Sequence, residues 1–128
     1  MFNFFRDKEN VKRVEEQDAK TQEALIEGLL LVMYADSQIK QDEKDELEKI
    51  LDSVTWQKDL RYIGKYGEVI AYTRDALTNN TKFENIITAI KSLPAEKKKF
   101  VIDSCEKMAL ADGKYDEKEK EIIQKMQR

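Results

Sequence analysis

A single proline, Pro94, and four glycines are the only strong backbone breakers in 128 residues. Hairpins draw on glycine for positive φ, so a fold of many short strands would carry more of them. The scarcity leaves long uninterrupted segments, which is the condition for helices. Apolar spacing agrees. Ala24, Leu25, Leu29, Val32 and Met33 recur at three- and four-residue steps, the period of one helix face. Ile26 and Leu30 widen that stripe, which predicts one deeply packed helix over about residues 11–35. Leu47, Ile50, Leu51 and Val54 mark a second helix from about Gln41. Between Trp56 and Thr78, Leu60, Ile63, Val69, Ile70 and Leu77 continue the helical pattern, with Gly64 and Gly67 separating a short helix from a longer one.

Asn79 and Asn80 read as a turn, and Phe83, Ile86, Ile87 and Ile90 form the apolar face of the next helix. That helix is expected to stop at Leu93, because a residue before proline is biased away from helical geometry. Pro94 then suits the first turn of a helix carrying Phe100, Val101, Cys105, Met108 and Ala109. A last helix from about Glu117 presents Ile122, Ile123 and Met126. The expected fold is all-α, a compact bundle of about six to seven helices in one domain over residues 11–128. Residues 1–10 are expected to be an aromatic segment ahead of it, loosely ordered.

Charge narrows the functions. Asp and Glu outnumber Lys and Arg, 26 to 23, and no basic stripe tracks a phosphate backbone, so nucleic acid is not an expected partner. The run Lys97-Lys98-Lys99 reads as a solvated helix face. There is no histidine, which removes the usual general base near neutral pH and leaves oxygen donors for any metal. Ser/His/Asp and Cys/His machinery is excluded with it. The lone Cys105 has no internal disulfide partner, and no signal peptide or long apolar span appears, so the expected location is the cytoplasm. Phe2, Phe4 and Phe5 precede Arg6 and Lys8. That pattern suits either packing onto the domain or contact with a membrane surface.

The chain also repeats itself. A shift of 76 residues places Asp36 on Asp112, Glu43 on Glu119 and Leu47 on Ile123. Upstream, it places Ile26 on Ile102 and Leu29 on Cys105, which assigns Cys105 to the core as a structural thiol. Two related helix-loop-helix units thus flank an unrepeated helical middle. Asp36 and Asp112 fall where a helix ends, the wrong end of its dipole for an anion by about 0.3–1 kcal/mol at an exposed site. Either an Asx turn or a cation compensates them. Glu43 and Glu119 lie seven positions on, at the start of the next helix, and Asp116 with Glu119 fits a capping box. Lys40 stands where the second copy has Asp116, so the box is not shared, whereas the Asp-to-Glu spacing is.

An ordinary EF-hand is excluded. With Gly113 at the loop's sixth position, Asp112, Asp116 and Glu119 match the later ligand positions, but Met108 and Leu110 occupy the first and third. What remains is half a calcium loop, met twice.

The stretch LPAEKKKFVIDSCEKMALADGKYDEKEKEIIQKM, residues 93–126, resembles the TerB-like family, named from tellurite-resistance gene clusters and found also in DjlA-type co-chaperones. Residues 24–51 carry a weaker copy. The resemblance implies an all-helical domain of about seven helices with internal pseudo-symmetry, whose acidic loop residues gather into a cation-binding patch. Carried over by position, the metal residues are Asp36, Glu43, Asp112, Asp116 and Glu119, and the cofactor is a divalent cation, Ca²⁺, Mg²⁺ or Mn²⁺. Ser37 replaces the glycine the family has after Asp36, and Lys40 puts a positive charge inside the first loop.

Two functions follow. One is a non-enzymatic interaction module with an acidic cation patch and protein partners, linked through its family to stress or tellurite resistance. The other is a structural protein–protein adaptor whose acidic loops only cap helices. A metal-assisted hydrolase would need an open, water-bearing site, and no sequence pattern marks one.

Overall fold

The computed structural model describes residues 8–35, 65–111 and 117–128. Among these residues there are six helices and no strand: α1 (Lys8–Glu15), α2 (Ala19–Met33), α3 (Lys65–Ala76), α4 (Asn80–Lys91), α5 (Ala95–Ala111) and α6 (Glu117–Gln127). The all-α expectation holds. The helix expected from about Gln41 and the short helix after Trp56 lie outside the described residues, as do Phe2, Phe4 and Phe5.

Helix α2 is the axis of the bundle and packs against α3, α4, α5 and α6. Its width of apolar sequence explains that place, since a helix that is apolar nearly all round has to be covered nearly all round. Leu25, Ile26, Leu29, Leu30, Leu31 and Val32 are all buried. Around them close Val69 and Ala76 of α3, Ile86, Ile87 and Ile90 of α4, Val101, Ile102, Cys105 and Met108 of α5, and Ile123 and Met126 of α6.

The single helix expected over residues 11–35 is two helices. Gln17 N–H donates to the Val14 carbonyl at 3.1 Å and closes α1. Asp18 then takes an extended conformation, φ −72° and ψ 166°, and its side chain accepts the Thr21 N–H at 2.8 Å. An aspartate that can cap the next helix competes with the backbone for continuation of the last one, and here the cap prevails. Two further boundaries differ from expectation. Gly67 lies inside α3 rather than between helices, and α4 ends at Lys91 with Ser92 as its C-cap, short of Leu93. Asn79 caps α4 by accepting the Lys82 N–H at 3.1 Å, while Asn80 is already helical. Pro94 stands immediately before α5, and its carbonyl accepts the Lys98 N–H at 2.8 Å.

Asp18 also meets the ammonium of Lys97. The Lys97 hydrogen bond first, and the Thr21 N–H second, hold its carboxyl down at about 2. A depressed acid stabilises the fold above its unfolded pKa of about 3.9 and loses that contribution as pH falls through its folded value. Asp18→Ala is therefore expected to cost about 0.5–2 kcal/mol near neutral pH, the scale of a lost N-cap. The Asp18 side chain is 46% exposed, so solvent screens the ion pair and the cap supplies most of the effect. In urea titrations the gap between wild type and Asp18→Ala should be full at pH 6 and shrink as pH falls from about 4 to about 2.

The same contact fixes direction. Asp18, at the start of α2, meets Lys97, near the start of α5, and Gly28 lies against Val101 and Cys105 at mid-helix. The two central helices therefore run side by side in the same sense. They approach closely at Gly28, where a Cβ would stand 3.1 Å from Cys105 Sγ, 3.3 Å from Ile90 Cδ1 and 3.5 Å from Val101 Cγ1. Glycine serves here by lacking a side chain, and its cost to helix propensity is accepted for that contact.

Candidate functional site

The α5–α6 corner holds the second acidic loop. Helix α5 delivers the chain to Ala111, and α6 resumes at Glu117. Of the five expected metal residues, Glu119 lies within the described residues, while Asp36, Glu43, Asp112 and Asp116 lie outside them. Glu119 occupies the first turn of α6 and is buried. Its burial follows from helix geometry: Ile123 is one turn on, on the same face, and Met126 continues that face into the core. A carboxylate taken out of water needs a compensating charge or hydrogen bonds. The N-terminal turn of a helix supplies part of that through its free N–H groups and positive dipole end. Glu117, two positions earlier, is exposed and lies 3.7 Å from Lys120, a surface pair of little energetic weight.

The paired positions of the two central helices share burial. Ile26 and Ile102 are both in the core, as are Leu29 and Cys105. Cys105 is 0% exposed, and burial, with the Glu106 charge second, pushes its thiol far above the usual range. Such a thiol is neither a nucleophile nor a ready ligand, in keeping with the structural role expected for it.

A second acidic feature was not expected from the sequence. Glu23 and Glu27 of α2, one turn apart, line an open cleft with Glu68, Val69 and Tyr72 of α3. Glu27 is buried, Glu23 half-buried and Glu68 exposed. The signal available was a pair of glutamates at i and i+4 inside the most apolar of the described helices, where charge has to face a seam between helices. Among the described residues, no three acidic or thiol side chains are grouped so that they could hold a metal ion.

Two lysines of the Lys97-Lys98-Lys99 run have acidic partners. Lys97 meets Asp18, and Lys99 pairs with Asp103 at 2.8 Å, one turn along α5. No helix among the described residues is long and apolar enough to cross a membrane.

Comparison with protein families places a match to the model described as tellurite resistance protein TerB over residues 22–128. That stretch runs from the first turn of α2 through α6 and includes both acidic loops. The chain belongs to the TerB family. No curated protein and no solved structure matches it. The TerB match begins within the first turn of α2, after α1 and the Asp18 cap, and so leaves Val14 of the core outside it.

Proposed function

We propose that this TerB domain is a non-enzymatic, cytosolic interaction module whose two acidic loops together take up one divalent cation, Ca²⁺, Mg²⁺ or Mn²⁺, and present the loaded surface to a protein partner. The observation that supports this reading is the common direction of α2 and α5. Their N-terminal ends meet through Asp18 and Lys97 and their middles through Gly28 and Cys105. Ala35 and Ala111, which precede Asp36 and Asp112 in sequence, therefore leave the bundle at the same end. One half-loop offers too few oxygens for calcium, which takes six to eight, and two half-loops with water come closer to that number. In this reading Glu119, buried at a helix start, is the closing ligand of the second loop. The link to tellurite resistance comes with the family description and belongs to the gene cluster.

Thermal unfolding and titration calorimetry with millimolar Ca²⁺, Mg²⁺ or Mn²⁺ test the cation. Binding to the folded state raises stability by about 2.7 kcal/mol at a hundred times Kd. Asp112→Asn and Glu119→Gln should abolish that gain more completely than Asp36→Asn and Glu43→Gln, because Lys40 opposes a cation in the first loop. No response of the wild type to any of the three ions removes the cation from the proposal.

The adaptor reading draws on the place of Glu119 in the first turn of α6, where a carboxylate is favoured without any metal. Under it, Asp116→Ala lowers stability by about 0.5–2 kcal/mol with no ion-dependent component.

A further inference from the structure

We draw no further inference here: the strongest candidate, the open cleft between α2 and α3 lined by Glu23, Glu27, Glu68, Val69 and Tyr72, is an acidic cluster for which no second observation among the described residues points to a ligand.

Discussion

Gly28→Leu is expected to cost the domain about 3 kcal/mol or more, a large part of the 5–15 kcal/mol typical of a folded domain. The position sits where α2 lies close to both α5 and α4. A bare Cβ would already meet Cys105 Sγ at 3.1 Å and Ile90 Cδ1 at 3.3 Å. Leucine adds three more carbons beyond that atom, and α2 cannot turn away because α3 and α6 pack against it as well. The better helix propensity of leucine returns only about 0.8–1 kcal/mol, so overpacking prevails. Urea unfolding followed by circular dichroism should show a much lower midpoint, or no cooperative transition. A midpoint within error of wild type would mean that the helices separate freely at Gly28, contrary to the close packing described.

The same residue shows how far the sequence could be read. Apolar spacing located α2 and α4 to α6, because long amphipathic helices with few breakers leave little else for the chain to do. It did not show that Gly28 was a contact, since a glycine inside a helix looks the same whether a neighbour approaches it or not. The break at residues 16–18 was missed for a related reason. Val14 and Leu25 keep helical register across it, and the signal against continuity was one aspartate, Asp18, followed three positions later by Thr21. Gly67 erred in the opposite direction: it was read as a breaker, yet α3 runs through it. A glycine in a helix costs only about 1 kcal/mol, which packing readily offsets.

Of the candidate site, the burial of Glu119 was only half legible. Its spacing to Ile123 put it on the inner face, but a capping box would have left it nearer solvent. The cleft of Glu23, Glu27 and Glu68 depends on α2 and α3 meeting, a long-range fact that no local pattern carries. So does the hydrogen bond from Lys107 Nζ to Asn10 Oδ1, between residues at opposite ends of the chain. Patterns of three or four residues report which face of an element is buried. They do not report which element covers it.

Ile123→Ala joins the core to the proposed site. Ile123 is 1% exposed on α6, which packs against α2, α4 and α5. Truncating it removes three carbons and leaves a cavity walled by helices that are held by one another, so the expected loss is about 2–5 kcal/mol. Alanine's higher helix propensity recovers only a few tenths of that. Glu119 lies one turn away on the same face, and the seating of this turn of α6 helps to place its carboxylate. A cation held through Glu119 should therefore bind more weakly in Ile123→Ala, so the variant should gain less stability from Ca²⁺, Mg²⁺ or Mn²⁺ than wild type does. Gln124→Ala, at the exposed neighbouring position, should leave both stability and ion response near wild type. Denaturant titrations with and without ion separate the outcomes. Full ion stabilisation of a destabilised Ile123→Ala would place the cation away from Glu119 and α6, whereas loss of both together ties the acidic loop to the packing beneath it.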